Sequence, residues 1–174
     1  MKKVLAIVLA MIMILSVSAM AAETVKIGVF EPLSGDSGAG GKQEMLGMQY
    51  ANYLQPTVEI GGVEYQVELV AADNGSSADK APSAAQQLVS EGVSVVLGTY
   101  GSACAIAGSP YFAEAGIPAI GVTCTNPQVT AGNSHYFRIC FLDPFQGTVL
   151  ANYAFKELGV TTATALLSWA TTTT

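Results

Sequence analysis

The sequence predicts an α/β fold with a parallel sheet flanked by helices on both faces. Short apolar runs typical of strands alternate with stretches whose apolar residues recur at helical spacing. Single helices between successive strands give right-handed crossovers and therefore parallel strands. One run, VSVVLG (93–98), is apolar almost throughout, as expected of a strand that is covered on both sides.

Residues 1–21 predict a secretory signal peptide. Lys2 and Lys3 precede an apolar stretch that ends at Val17, and the segment AMA (19–21) fits a small-x-small cleavage site. The stretch is shorter than the about 20 apolar residues that a membrane-spanning helix needs. We therefore expect the mature protein to be exported, either into a periplasm or to an extracytoplasmic cell surface. Removing 21 of the 174 residues leaves 153, enough for one domain with a sizeable core.

The composition argues against several kinds of partner. Loss of Lys2 and Lys3 with the leader lowers the basic residues from seven to five, against 13 acidic ones. So acidic a chain repels phosphate backbones, and no nucleic acid partner is expected. With one histidine and no C-x-x-C pattern, no metal or other cofactor is expected. Cys104, Cys124 and Cys140 allow at most one internal disulfide, and three buried reduced thiols are an equal alternative.

The first half of the mature chain predicts a helix between strands. The run VKIGVF (25–30) forms the first strand, and a helix follows over about 42–54. The pair Gly61-Gly62 separates two polar–apolar alternations, a pattern typical of a two-residue hairpin that leads into the strand VELVAAD (67–73). The apolar residues of the helix fall on one face and are Leu46, Tyr50, Tyr53 and Leu54.

The second half continues the alternation. Asp79 is a predicted N-cap, Pro82 falls in the first turn of the helix that follows, and Gly92 ends that helix. The remaining elements are expected as a strand at 93–98, a helix from Ser102 to Ala115 bent by Pro110, a strand at 118–122, a helix at about 145–158 and a strand at 162–169.

The glycine-rich loop SGDSGAGGKQE (34–44) raises the question of a nucleotide site. A P-loop needs a lysine directly after its second glycine and a hydroxyl residue after that lysine. Here Gly41 follows Gly40, Gln43 follows Lys42, and the dinucleotide pattern also lacks its third glycine. No nucleotide site is expected. Two interpretations stay open, that the glycines keep the rim of a cleft low and flexible, or that they only permit a wide turn.

Ligands of open parallel sheets bind beyond the carboxyl ends of the strands. That rule brings four segments of this sequence into one crevice. They are rich in glycine, hydroxyl and amide residues and poor in charge. The segments are PLSGDSGAGGK, DNGSS, TYGSA and TCTNP.

TYGSA and TCTNP supply groups suited to a small zwitterion. Ser102 is a candidate N-cap, and the unpaired N–H groups of the first helical turn suit a carboxylate. The alternative is that Ser102 only caps its own helix. Thr123 and Thr125 flank Cys124, so alternation aims both hydroxyls one way and the thiol the other. The two hydroxyls either accept hydrogen bonds from an ammonium group or are solvated. Tyr100 either contacts the side chain of a ligand or only packs against the rest of the protein.

A hydrolase is the alternative from another class. Ser102, His135 and Asp143 supply the residue types of a catalytic triad. A nucleophile elbow would need glycines two residues before and after the serine, where Tyr100 and Cys104 stand. No enzymatic activity is therefore expected.

Five stretches together carry a family resemblance: KIGVFEPLSG, VELVAADNGSSADKA, VVLGTYGSA, AGIPAIGVTCTNPQVT and YFRICFLDPFQG. With them the chain resembles, over residues 25–170, the extracytoplasmic solute-binding proteins of ABC transporters, specifically the branched-chain amino-acid (leucine)-binding group. The resemblance implies a periplasmic-binding-protein type I fold, whose two α/β lobes close on a solute and deliver it to a membrane permease. The implied solute is a branched-chain amino acid, another small amino acid or a related amide.

The resemblance also implies roles for individual residues. Ser102 and the N–H groups around it, including that of Ala103, would take the ligand carboxylate. The Thr123 carbonyl and the Thr125 hydroxyl would take the α-amino group. The implied ligand-binding set is Tyr100, Gly101, Ser102, Ala103, Thr123, Cys124 and Thr125. The chain departs from some family members at Gly40, where they carry an aromatic residue, and in DNGSS, which lacks their cysteine.

By the same resemblance, residues 22–137 form the first lobe, 138–147 the hinge crossing and 148–174 the start of the second lobe. Arg138, Asp143 and Gln146 are the implied hinge residues. Family members are about twice as long, and their second lobe supplies an acidic partner for the ligand ammonium. The chain is therefore expected to be truncated. A ligand-sensing domain of the same fold and an inactive fragment are the alternatives.

Overall fold

A computed structural model describes residues 23–164. The predicted signal peptide lies outside these residues, and so does most of the strand predicted at 162–169. In chain order the elements are β1 (Thr24–Glu31), α1 (Gly38–Leu54), β2 (Thr57–Ile60), β3 (Val63–Asp73), α2 (Ala81–Ser90), β4 (Val95–Gly98), α3 (Ser102–Glu114), β5 (Ala119–Gly121), a 3₁₀ turn (Pro127–Val129), β6 (Tyr136–Arg138) and α4 (Asp143–Lys156).

The strands form one six-stranded sheet in the order β2-β3-β1-β4-β5-β6. Strand β1 lies parallel to both β3 and β4, and β5 lies parallel to β4 and β6. Among these described strands only β2 runs antiparallel, against β3, so the sheet is mixed with one hairpin at its edge. Gly61 and Gly62 connect the hairpin with φ of +61° and +84°. A tight hairpin turn needs such positive φ angles, and the predicted hairpin is confirmed.

The hydrophobic core lies where α2 and α3 cover the sheet. The rings of Phe30 and Phe112 meet edge to face, with centroids 5.3 Å apart. A Cβ built on Gly108 would lie 2.6 Å from the Phe30 ring, so α3 approaches β1 more closely than a larger residue would allow. The face of α2 that packs on the core is buried at Ala81, Ala84, Ala85 and Leu88.

Helix α1 differs from the prediction in its start and in its buried face. It begins at Gly38, inside the glycine-rich loop, and not near Lys42. Its predicted apolar stripe is exposed, with values between 62 and 80% at Leu46, Tyr50, Tyr53 and Leu54. The cause is packing by small residues on another face. The backbone of α1 comes so close to Pro32 that a Cβ on Gly41 would overlap its carbonyl oxygen.

Two other helix starts also needed correction. Lys80 precedes α2 at the N-cap position and no side chain caps this helix, so the prediction that Asp79 is the N-cap was wrong. Pro82 does lie in the first turn, and Gly92 follows the helix with φ of +71°. Helix α4 begins at Asp143, two residues before the predicted start.

Candidate functional site

The four predicted loops meet beyond the carboxyl ends of β1, β3, β4 and β5. The first two are joined through Asp73, whose Oδ1 accepts the N–H groups of Leu33 at 2.8 Å and Ser34 at 3.2 Å. The Ser34 hydroxyl donates to Oδ2 at 2.6 Å. Desolvation acts to raise the pKa of Asp73, but these hydrogen bonds and one from the Gly75 N–H lower it below its ordinary value. The ionised carboxylate therefore fastens the first loop to the second.

Close backbone packing explains a glycine of the first loop. Gly35 has φ of +78°, and a Cβ placed on it would lie 2.5 Å from the Gly75 carbonyl oxygen. Ser76 completes the junction, because its hydroxyl accepts from the Ser37 N–H and donates to the Ser34 carbonyl. At this position the glycine allows one loop to lie directly on the next.

The segment from Gly98 to Tyr100 is held from three sides. The Tyr136 hydroxyl donates to the Gly98 carbonyl at 2.7 Å, and the Asn74 side chain donates to the Thr99 hydroxyl at 2.7 Å. The Tyr100 N–H donates to Glu31 Oε2 at 2.7 Å. Burial raises the pKa of Tyr136 well above its ordinary value, so the hydroxyl keeps the proton that it donates. The Tyr100 side chain itself is 40% exposed beside the crevice.

Ser102 is the first residue of α3 and not its N-cap, which corrects the prediction. Gly101 occupies the cap position with φ of +113°. The Ser102 hydroxyl instead accepts the Asn126 N–H at 3.2 Å and so connects the loop after β4 to the loop after β5. The Ala105 N–H donates to the Gly101 carbonyl, so the N–H groups of 102–104 precede the first i→i−4 bond of α3. Ala103, at this helix start, is exposed.

The two threonines and the cysteine after β5 alternate as predicted. Thr123 is exposed, Thr125 is half-buried, and the Cys124 thiol lies fully inside the core. The side chain of Cys124 therefore faces the core and not the crevice, so only its backbone could serve a ligand there. Burial is the main reason that the pKa of this thiol rises to about 11. The Thr125 carbonyl accepts the Asp143 N–H at 3.1 Å.

A pair of glutamates beside Thr123 was missed by sequence reasoning. Glu31 ends β1 with 0% exposure, and Glu44 projects from α1 to accept the Thr123 hydroxyl at 2.5 Å. The Glu44 carboxyl lies close enough to that of Glu31 to affect its pKa. Desolvation is the main reason that the pKa of Glu31 rises to about 9, and the neighbouring Glu44 carboxyl raises it further. The hydrogen bond from the Tyr100 N–H acts in the opposite direction. The only signal in the sequence is an acidic residue at the end of an apolar strand.

Arg138 braces the loop that carries the threonines. Its guanidinium donates to the carbonyls of Cys124 and Asn126, each at 2.9 Å, and to that of Pro127 at 3.3 Å. A fourth bond, at 2.7 Å, reaches the Thr130 hydroxyl. The fork of the guanidinium thus fixes the loop 123–130, a role that the sequence did not indicate. Gln146, the third implied hinge residue, lies in the first turn of α4.

The residues proposed as a catalytic triad make their hydrogen bonds with residues outside the triad. Ser102 accepts from Asn126, whereas the His135 ring contacts the Ser134 hydroxyl at 3.3 Å. Within residues 23–164, no group of three or more histidine, cysteine, aspartate or glutamate side chains could hold a metal ion. Cys104, Cys124 and Cys140 are unbridged.

Comparisons with known proteins agree on one family. Residues 24–171 match the family described as "Periplasmic binding protein". An amino acid binding protein of Pseudomonas aeruginosa is 36% identical over 90% of this chain and 42% of its own length. A leucine binding protein structure from Thermotoga maritima is 38% identical, with a TM-score of 0.72 over 78% of this chain and 38% of that chain.

A second solved structure contains a ligand. It is a branched-chain amino acid transporter substrate binding protein from Streptococcus pneumoniae in complex with isoleucine. It shares 32% identity and a TM-score of 0.70 over 79% of this chain and 39% of that chain. The present chain thus spans about two fifths of the length of these relatives. Of the helices within residues 23–164, none combines the length and the apolar character that crossing a membrane requires.

Proposed function

Because this chain belongs to the periplasmic binding protein family, we propose that it forms the first lobe of an ABC-importer solute-binding protein for a branched-chain or other small amino acid. The observation that carries this proposal is the pairing of two complementary groups in one crevice. The start of α3 offers N–H groups ahead of its hydrogen-bond ladder, and the exposed Thr123 lies on the neighbouring loop. The Ser102–Asn126 hydrogen bond joins these two loops.

Each charge of an amino acid finds a matching partner here. The carboxylate suits the N–H groups of 102–104, because a helix start carries partial positive charge. The ammonium suits the Thr123 carbonyl and the Thr125 hydroxyl, which the resemblance names as acceptors for the amino group. Such a site grips a zwitterion and lacks the assembled nucleophile and base that a hydrolase needs. The isoleucine complex of a similar protein supports the choice of an aliphatic amino acid.

The remainder of the ligand would lie against Tyr100. Tyr100 is 40% exposed, and its ring stands beside Gly40 at the start of α1. The wall is therefore partly aromatic, and an aliphatic side chain would pack against it. Gly101 and Ala103 complete this side of the crevice with little steric bulk.

We further propose that a second lobe closes over this crevice and that 138–147 is the hinge crossing. Similar proteins are more than twice as long as the matched region, which supports a second lobe. Closure would add contacts and expel water, so this lobe alone should bind weakly. The membrane permease of an importer is the proposed partner, and a periplasm or an extracytoplasmic cell surface the proposed location.

A titration of the ¹⁵N-labelled protein with leucine, followed by NMR, tests the proposal even at weak affinity. We expect amide shifts that saturate at 101–104 and 123–126. Ser102→Ala should weaken binding roughly tenfold, the loss expected for a hydrogen bond to a charged group. Ser83→Ala, at a serine of α2 outside the crevice, is the matched control and should leave the affinity unchanged. Saturating shifts confined to another part of the protein would contradict the proposal.

A further inference from the structure

Two hydrogen bonds and a pair of neighbouring carboxyl groups link the loop after β4 to the loop after β5. The Tyr100 N–H donates to Glu31 Oε2, and the Thr123 hydroxyl donates to Glu44 Oε1. Between these bonds the carboxyl groups of Glu31 and Glu44 are neighbours. The link therefore ends at a hydroxyl that is exposed in the crevice.

The two carboxyl groups need one proton between them. Glu31 Oε1 and Glu44 Oε2 are buried and lack a hydrogen-bond partner among the described residues. Two carboxylates have no hydrogen to share, so both oxygens stay unsatisfied while both groups are ionised. A single proton between the carboxyls satisfies both oxygens at once. Glu31 is the better carrier, because it is wholly buried and a buried charge is costly.

The surroundings supply no counter-cation for a second negative charge. Besides Glu44 on α1, the titratable groups that interact with Glu31 are Cys104 on α3 and Tyr136 on β6. Glu44 also acts on the Cys124 thiol. All of these groups are acids. Arg138 also acts on the Cys124 thiol, but its guanidinium donates to carbonyls of the loop 123–130 and to the Thr130 hydroxyl. The pair therefore keeps one proton and one negative charge.

This arrangement sets the direction of the Thr123 hydroxyl. With the proton on Glu31, the carboxylate of Glu44 can only accept hydrogen bonds. The Thr123 hydroxyl therefore donates its one hydrogen to Glu44, and only its lone pairs remain available to a ligand. A carboxylate or carbonyl oxygen of a solute finds no donor there, whereas an ammonium group finds an acceptor backed by a negative charge.

We propose that Glu31 and Glu44 make the Thr123 hydroxyl an obligate acceptor, so that this lobe prefers solutes with an ammonium group over solutes of the same shape that carry only a carboxylate. Thr123 would contact the solute, and the two glutamates are positioning residues. The inference rests on the proposed function and deepens it. The resemblance already names the Thr123 carbonyl and the Thr125 hydroxyl as acceptors for the amino group. The inference adds the Thr123 hydroxyl as a third acceptor and Glu44 as an acid within the first lobe.

Two solutes that differ only in the amino group test the preference. Leucine and 4-methylpentanoate, which is leucine without its amino group, are titrated separately into the ¹⁵N-labelled protein. We expect leucine to bind at least about tenfold more tightly, as one charge-assisted hydrogen bond provides. Glu44→Gln should bring the two dissociation constants to within about threefold, because the amide carries no charge and its NH₂ group can donate to Thr123. Glu59→Gln, an equal change of charge at an exposed residue of β2, should preserve the preference.

Variants of Glu31 test whether this residue positions Glu44 or only stabilises the fold. In the Glu31→Gln variant the new amide would accept from Tyr100 and donate an N–H to Glu44, as protonated glutamic acid does, but it cannot titrate. Glu31→Gln should therefore keep the preference for leucine, and Glu31→Met should lose most of it. Between pH 7 and pH 10 ionisation of Glu31 leaves Glu44 a carboxylate and adds a second negative charge behind Thr123, so the unaltered protein should lose affinity for leucine more slowly than Glu31→Gln does. The amino group of leucine itself titrates equally in both experiments.

The outcomes distinguish this inference from the function on which it rests. If the Glu44→Gln protein folds, binds leucine and still prefers it over 4-methylpentanoate as before, the inference is wrong. The proposed function is not affected by that result. If Glu44→Gln does not fold, identical pH profiles for the unaltered protein and Glu31→Gln overturn the inference equally. If the unaltered protein binds neither solute at the crevice, the proposed function fails and the inference fails with it.

Discussion

The ring of Tyr100 lies directly against Gly40, so closely that a Cβ built on Gly40 would fall 2.6 Å from Tyr100 Cε2. The contact joins the first turn of α1 to the loop after β4, and it fixes a ring that is partly exposed to the crevice. Gly40 thus leaves space for an aromatic side chain that comes from a different loop. Any side chain at this position would have to displace the ring.

Gly40→Ala should therefore shift the Tyr100 ring and weaken leucine binding several-fold. Gly47→Ala is the matched control, because Gly47 lies in the same helix and a Cβ there would meet no atom within 4 Å. An alanine at that site should stabilise the protein by about 0.5–1 kcal/mol through its higher helix propensity. NMR titration measures the affinity and urea unfolding the stability. Equal behaviour of the two variants would contradict the contact.

The pH dependence of stability tests the state of Glu31. Its pKa is raised from 4.5 to about 9 in the folded protein, so between these values the folded state holds a proton that the unfolded state has released. The free energy of unfolding should therefore fall as the pH rises through this window, by up to about 1.4 kcal/mol per pH unit. Glu31→Gln should lack this component.

Urea unfolding of both proteins at several pH values between 5 and 9 measures the difference. All other titrating groups are shared by the two proteins, so only Glu31 separates the curves. Parallel curves would show that Glu31 is ionised in the folded protein, contrary to its burial.

Arg138 should stabilise the loop 123–130 through its four hydrogen bonds. Arg138→Lys keeps the charge but cannot reproduce the planar fork, so several carbonyls lose their donor. We expect a loss of roughly 2–3 kcal/mol in the free energy of unfolding, since unsatisfied polar groups cost about 1–3 kcal/mol each. Lys42→Ala, at an exposed cation, should change stability by less than about 0.5 kcal/mol. A similarly small loss for Arg138→Lys would refute the bracing role.

Gly121 leaves room for a buried thiol. A Cβ on Gly121 would overlap Cys124 Sγ and crowd the Tyr136 ring. Gly121→Ala should destabilise the protein by about 1–3 kcal/mol, the usual cost of overpacking a core. Cys124→Ala removes the sulfur, so the double variant should recover part of that loss. Strictly additive losses in urea unfolding would argue against the contact.

The sequence predicted the parts of the site that depend on local pattern. The strand ends brought the four loops together, and the alternation from Thr123 to Thr125 correctly turned the Cys124 thiol inward. The Gly61-Gly62 hairpin likewise followed from turn chemistry alone. Such features need only the direction of neighbouring residues, which the chain specifies by itself.

Features that depend on contacts between distant segments were not predictable in this way. Glu31 and Glu44 belong to different elements, and only the folded arrangement places their carboxyl groups together. The hydroxyl of Ser102 is likewise used by Asn126 in another loop, and not by its own helix. The exposed stripe of α1, which includes Tyr50, shows the same limit, because helical spacing does not reveal which face packs on a sheet.

A lone lobe and a two-lobed protein should respond differently to ligand. We expect leucine, isoleucine and valine to give no clear rise in the melting temperature of the 174-residue chain, because stabilisation grows with the ratio of ligand concentration to Kd. The same lobe joined to a second lobe should be stabilised by at least one of them. Strong thermal stabilisation of the chain by itself would show that closure is not needed for tight binding.

A crystal structure of the two-lobed protein with leucine tests the central claim most directly. We predict that the leucine carboxylate accepts from the N–H groups at 102–104, and that its ammonium lies within hydrogen-bonding distance of the Thr123 hydroxyl. Leucine bound away from the start of α3, or with its carboxylate turned toward Thr123, would contradict the account.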